Sequence, residues 1–215
     1  MNPPSPAVAQ PAHRHVSERE LVLGSTSPYR RELLQRLRLP FTVAAPDVDE
    51  TPGADEEPRQ LAERLALAKA RAVAAVFPQA VVIGSDQVAD LNGEPLGKPG
   101  THERATQQLR QMSGQTVVFQ TAVAVVCMET GFEQTSLAAV RVRFRDLSAD
   151  DIENYLRAEQ PYDCAGSAKS EGLGIVLLDA IESDDPTALI GLPLIRTSHM
   201  LRAAGIGLLR TGTAA

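Results

Sequence analysis

The sequence predicts a mixed α/β fold, and three observations carry that expectation. Two apolar runs, residues 21–24 and 80–84, read as buried strands because they do not alternate polar with apolar residues. Between them, residues 58–77 set Leu61, Leu65, Ala68, Ala72 and Val76 at helical spacing. Farther on, residues 117–128 and 133–144 read as a long antiparallel pair around Glu129-Thr130-Gly131-Phe132. The 215 residues are 43% hydrophobic and 22% charged, which suits one substantial core or two small lobes sharing a cleft rather than a disordered chain.

The first strand runs into Gly24-Ser25-Thr26-Ser27-Pro28. Ser27 stands where a helix cap accepts free amides, and Pro28 pre-sets the first helical φ, so a helix follows over residues 29–37. Leu33, Leu34 and Leu37 form its apolar side. Backbone amides, the positive end of the helix dipole, the Ser25 and Ser27 hydroxyls and the Arg30 and Arg31 guanidinium groups converge there, which makes the stretch an anion grip. A strand over residues 41–44 follows, then an acidic loop bounded by Pro46 and Pro52 that carries Glu50.

Lys69 lies four residues after Leu65 and four before Val73, at the edge of the long helix's apolar stripe. A charge at such a position must be paired or reach back to solvent. The apolar run at 80–84 ends in Ser85-Asp86-Gln87 before residues 88–91 continue, and polar groups at a strand end face a cleft. Asn92-Gly93 is a hairpin signal, since both residues tolerate positive φ, and it returns Lys98 toward Asp86.

A helix over residues 101–112 begins at Thr101 and ends at Ser113-Gly114. In Arg141-Val142-Arg143-Phe144-Arg145 the arginines alternate with bulk and line a solvated face. Ser148 caps another helix with Asp150 and Asp151 in its first turn. Residues 161–172 are a second glycine-rich loop, but not a phosphate-binding P-loop, because Ala168 occupies the position before Lys169 that requires glycine. Neither Ser167 nor Ser170 sits in a nucleophile elbow. Residues 174–178 read as a buried strand, and residues 195–204 as a last helix in which His199 is partly exposed.

A formal net charge of −6 argues against broad nucleic-acid or acidic-membrane binding. Cys127 and Cys164 are too few and too far apart for a zinc site by themselves, and no disulfide framework is expected, which suits a reducing, cytoplasmic setting. Residues 1–19 hold four prolines and no apolar run, so they read as a flexible tail with His13 and His15 solvated. Residues 210–215 read as a second tail, leaving one domain over residues 20–209. Taken together, Ser25, Ser27, Arg30, Arg31, Lys69 and Lys98 with the carboxylates Glu50 and Asp86 suit a polyphosphate and the Mg²⁺ that accompanies it.

Gly24-Ser25-Thr26-Ser27-Pro28-Tyr29-Arg30-Arg31, Leu67-Ala68-Lys69-Ala70, Gly84-Ser85-Asp86-Gln87, Gly97-Lys98-Pro99 and Ser113-Gly114-Gln115-Thr116, in that order, resemble the Maf family of nucleotide pyrophosphatases. The resemblance implies an inosine triphosphatase-like mixed sheet with two lobes around a central cleft. It also implies cleavage between the α and β phosphates of a nucleoside triphosphate with Mg²⁺ or Mn²⁺, and a homodimer. By the same resemblance Asp86 is the proton acceptor, Ser25, Ser27 and Arg30 meet the phosphates, Lys69 and Lys98 join them, and Glu50 and Asp86 face the metal. Which carboxylate ligates and which takes the proton is open at this level. Tyr29, Gln87 and Glu171 match the branch acting on 7-methyl-GTP, with Tyr29 where tryptophan is usual; the dTTP and UTP branch carries Arg, Thr and Gln. A cationic 7-methylguanine favours an aromatic face and a carboxylate, and Glu171 suits the guanine N1–H and N2 amine. The alternatives are the same chemistry on dTTP, UTP or other non-standard nucleotides, or a nucleotide sensor in cell-division control.

Overall fold

The computed structural model describes residues 19–209. Apart from Arg19, the expected tails, with His13 and His15, lie outside the described residues. The seven strands are β1 (Leu21–Gly24), β2 (Thr42–Ala44), β3 (Val81–Leu91), β4 (Glu94–Leu96), β5 (Thr116–Cys127), β6 (Phe132–Phe144) and β7 (Leu178–Glu182). They form one sheet in the order β2-β1-β3-β5-β6-β7, with β4 on β3. β1 runs parallel to β2 and β3, whereas β3, β5, β6 and β7 pair antiparallel, so the sheet is mixed as expected. Five helices surround it among the described residues: α1 (Pro28–Gln35), α2 (Pro58–Val76), α3 (His102–Met112), α4 (Ala149–Glu159) and α5 (Leu194–Ala203).

Alternation along β3 and β5 sorts the core onto two faces. Val82, Val88, Ala122 and Ala124 point at α2 and pack on Leu61, Leu65, Ala66 and Val73. Val81, Ile83, Val123 and Val125 point the other way and meet Leu33, Leu34, Met200 and Leu201 of α1 and α5. Farther along that second face, Ala89, Val117 and Phe119 meet Leu109, Ile152, Tyr155 and Leu156 of α3 and α4. The second face thus carries two apolar blocks, and these are the two lobes. Between them stand the polar side chains of Ser85, Gln87 and Thr121.

β3 runs unbroken through Ser85-Asp86-Gln87, where the sequence suggested a strand end. What ends is its neighbour. β1 pairs with β3 only up to Gly24 opposite Gly84, and β4, running antiparallel, ends at Leu96 opposite Ala89. Among the described residues, 85–88 therefore have no strand partner on that edge. The sheet has a notch there, and its polar residues line the notch rather than a terminus.

Other differences have local causes. α1 stops at Gln35, since Arg38 takes a left-handed φ of 54° and Pro40 follows. Residues 173–177 form a 3₁₀ turn with Ile175 and Val176 half exposed, and the strand starts only at Leu178. Gly174 explains this: it lies against the Lys169 backbone, where a Cβ would come within 2.5 Å. Arg145 does not point into solvent with Arg141 and Arg143; it grips Asp151 through two bonds of 3.0 and 3.2 Å and donates to the Val176 carbonyl. Asp185, in the acidic stretch after β7, is fully buried and accepts the Ile195 and Arg196 amides at the start of α5, an anion against a helix N-terminus.

Gly84 decides how close α2 lies to the sheet. A Cβ at this position would sit 2.3 Å from the Ala66 carbonyl oxygen and 2.5 Å from the Ala70 nitrogen, both of them backbone. Gly84→Ala is expected to destabilise the protein by about 3 kcal/mol, at the upper end of overpacking costs, because rigid backbone cannot yield. Urea unfolding monitored by circular dichroism measures this, and an unchanged midpoint would show that α2 moves away freely.

Candidate active site at the sheet notch

The close approach of α2 carries Lys69 to the notch. Its ammonium lies 2.7 Å from Asp86 Oδ1 and 2.7 Å from Glu50 Oε1, and the residue is only 5% exposed. The position that seemed to need a partner or an escape route has two partners, one from β3 and one from the acidic loop. One oxygen of each carboxylate is taken. Oδ2 of Asp86 and Oε2 of Glu50 have no protein partner among the described residues, and Oδ2 is not sealed from solvent.

The β1–α1 turn closes one end of the notch. Ser27 caps α1 as expected, accepting the Arg30 amide, and Pro28 takes the first helical position. The Ser25 hydroxyl is buried and accepts from the Ser27 amide at 3.2 Å and from Arg30 Nη1 at 3.4 Å. Arg30 also donates through Nε to the Gly191 carbonyl at 2.9 Å. Burial pulls the Arg30 guanidinium below its usual range, while the charges of Asp86 and Glu50 pull it back up. It stays a cation at neutral pH. Arg31 enters no contact of this set. Lys98, just beyond β4 at the opposite end of the notch, is exposed and forms no ion pair among the described residues; the hairpin brings it to the rim but not onto Asp86.

Gln87 follows Asp86 on β3 and so faces the other side of the sheet. Its amide nitrogen donates to the Thr121 hydroxyl and to the Ala188 and Leu189 carbonyls, at 2.9 to 3.0 Å. Thr121 donates to Ala188 as well, and Ser85 to Gly191. Residues 188–191 are thereby fastened into the seam between the lobes. Thr121 and this segment escaped the sequence reading; the only signal was a lone hydroxyl inside an apolar strand. Tyr29 lies on this same side with the glycine-rich loop. The Cys164 thiol is 3.9 Å from the Tyr29 hydroxyl, and Lys169 Nζ is 5.6 Å from the centre of the ring. Glu171 stands close enough for its charge to act on Tyr29, and desolvation raises its own carboxyl above the usual range. The fold brings Tyr29 against the loop that carries Glu171, through Cys164 and Lys169, across the sheet from Asp86.

Residues 20–204 match the sequence model of a family described as Maf-like protein. The chain belongs to the Maf-like family. It is similar to a protein named 7-methyl-GTP pyrophosphatase from Polaromonas sp. (strain JS666 / ATCC BAA-500), with 76% identity over 97% of this chain and 94% of that one. A second protein of that name, from Albidiferax ferrireducens, is 71% identical over 89% of this chain and 96% of its own length. Among solved structures, a HAM1 protein from Coxiella burnetii aligns with a TM-score of 0.43 and 20% identity, over 59% of this chain and 73% of that one. In this Maf-like chain no described helix is long and apolar enough to cross a membrane. Cys127 and Cys164 are both free.

Burial, and after it the charge of Asp163, push the Cys164 thiol up to about 12. Only a trace of thiolate exists at pH 8, so alkylation of Cys164 by iodoacetamide should run at least about a hundredfold slower than that of free cysteine. The rate should climb as pH approaches the raised value. Peptide mass spectrometry reads it, and fast labelling at pH 8 would mean that the thiol is not held against Tyr29.

Proposed function

We propose that the protein hydrolyses 7-methyl-GTP to 7-methyl-GMP and pyrophosphate and so removes a modified nucleotide from the pool. The observation that carries this reading is the Lys69 ammonium shared by Asp86 and Glu50 at the notch, beside the capped start of α1. The names of relatives more than 70% identical support the substrate. The triphosphate lies along the notch, where Arg30, Lys69, Lys98 and the N-terminus of α1 supply positive charge to its oxygens. Ser25 holds Arg30 in place, and the hydrogen of the Ser27 hydroxyl remains to donate to a phosphate.

Two carboxylates, each with an oxygen to spare, fit Mg²⁺ or Mn²⁺, because such ions bind through one or two carboxylates plus substrate phosphates. Among the described residues no group of three or more His, Cys, Asp or Glu side chains could hold a metal ion, so Glu50 and Asp86 would hold it together with the substrate phosphates. When bound, the ion neutralises charge on the phosphates. Asp86 is the proton acceptor: Lys69 fixes Oδ1, and Oδ2 takes the proton of the attacking water while the water oxygen bonds to phosphorus and pyrophosphate leaves. Glu50, more exposed, faces the metal. On the other side of the sheet, the Tyr29 ring and the Glu171 carboxylate meet the cationic base, and Gln87 secures the segment beneath it. A nucleotide sensor needs the grip but not a carboxylate with a free oxygen beside a fixed ammonium, so the geometry favours turnover.

Asp86→Asn is expected to keep the fold at lowered stability, since the amide oxygen still accepts from Lys69 and Glu50 remains as its counter-charge, and to lose about 10²- to 10⁴-fold in kcat, the usual worth of a general base. Full activity would remove Asp86 from the proton transfer. With Mg²⁺ or Mn²⁺, pyrophosphate release from 7-methyl-GTP should exceed that from GTP, UTP and dTTP, and Tyr29→Arg should shift the ranking away from 7-methyl-GTP. An unaltered ranking in that variant would leave Tyr29 without a part in base selection.

A further inference from the structure

Glu171 is carried by residues 169–173, a tight turn whose Gly172 amide donates to the Lys169 carbonyl at 3.1 Å. Two residues of α4, one helical turn apart, hold it from below. The Tyr155 hydroxyl accepts the Lys169 amide at 3.0 Å. Glu159 takes both ends: Oε2 accepts the Leu173 amide at 2.7 Å, and Oε1 meets Lys169 Nζ at 2.8 Å. Its side chain is only 14% exposed, so these charge-assisted bonds are largely shielded from water. The carboxylate fits so closely that a Cβ on Gly172 would lie 2.7 Å from Oε2. Glu171 thus stands on an arch with both feet on one carboxylate.

The Lys169 ammonium that Glu159 holds is also the cation over the Tyr29 ring. A 7-methylguanine base is itself a cation and approaches the same ring. An ammonium without its counter-charge at this place repels that base, and hardly acts on neutral guanine. A carboxylate beside it cancels the repulsion.

We propose that Glu159 is a positioning residue for base selection, which aims Glu171 by tying the 169–173 turn and cancels the charge of Lys169 beside Tyr29. The proposal rests on the reading of Tyr29 and Glu171 as base-facing groups. kcat and KM for 7-methyl-GTP and for GTP, with Mg²⁺, are measured in the full-length protein and in Glu159→Ala, Glu159→Gln, Glu159→Gln with Lys169→Met, and Glu171→Ala. Glu159→Ala is expected to raise KM for 7-methyl-GTP about tenfold while kcat stays within about twofold, and to change KM for GTP far less, the pattern of lost ground-state binding. Glu159→Gln keeps an acceptor for the Leu173 amide but leaves Lys169 uncompensated, so it loses part of the selectivity, and adding Lys169→Met restores that part. A general loss of structure would lower turnover of both substrates alike and would not be rescued by Lys169→Met. If Glu159→Ala does not fold, Glu159→Gln and its double variant decide. Selectivity unchanged in the Glu159 variants while Glu171→Ala lowers it overturns the proposal; selectivity unchanged in Glu171→Ala overturns the base-facing reading and the proposal with it.

Discussion

An ammonium almost sealed from water is tolerable only with counter-charges in contact, and the Lys69 group between Asp86 and Glu50 is where three separate stretches of this chain are made to meet. α2 supplies the cation, β3 one carboxylate and the acidic loop the other. Take away either carboxylate and the helix buries a poorly paired charge; take away the lysine and Asp86, itself 8% exposed, loses its partner. The contact exists because α2 lies close to β3, and that closeness depends on Gly84 having no side chain. Packing and chemistry share one constraint.

The notch in the sheet turns that contact into a site. A strand paired on both edges presents its backbone to neighbours, and ligands reach only its side chains. Here β1 stops short and β4 pairs only from Ala89 on, so four residues of β3 are open along one edge while β5 keeps them rigid from the other. Strand alternation then divides the labour. Asp86 points to α2, Gln87 to the lobe seam, and the capped turn before α1 reaches the notch through Arg30 and the glycine-rich loop through Tyr29.

The second glycine-rich loop shows how irregular backbone is held in place. Its shape comes from side chains on a helix, through Tyr155 and Glu159, rather than from a ladder of its own. The segment at 188–191 is held in the same way by Ser85, Gln87 and Thr121. In both cases polar groups inside an apolar surface satisfy carbonyls and amides that have no secondary structure to satisfy them.

Local chemistry was legible from the residues themselves. Ser27-Pro28 opens a helix, Thr101 and Ser148 cap two more, and Asn92-Gly93 turns a hairpin; each depends on atoms within a few residues, so order along the chain is enough. The long helix was legible from its spacing, but its buried side holds Leu61, Ala62, Leu65, Ala66, Lys69, Ala70 and Val73, whereas Val76 of the expected stripe is exposed. The candidate residues of the grip and both carboxylates were legible too, as types that suit a polyphosphate. The apolar run at 174–178 misled because Gly174 is pressed against the Lys169 backbone, so the chain turns there instead of extending and leaves Ile175 and Val176 half exposed. Asp185, Thr121 and Glu159 were unremarkable in sequence because their partners lie 10 to 67 residues away. Distances of that kind are set by how helices settle on a sheet. Sequence therefore determined most of the elements and which residue types suit a polyphosphate, whereas only the packing of α2, α4 and the two loops onto the notch decided which of those groups face each other.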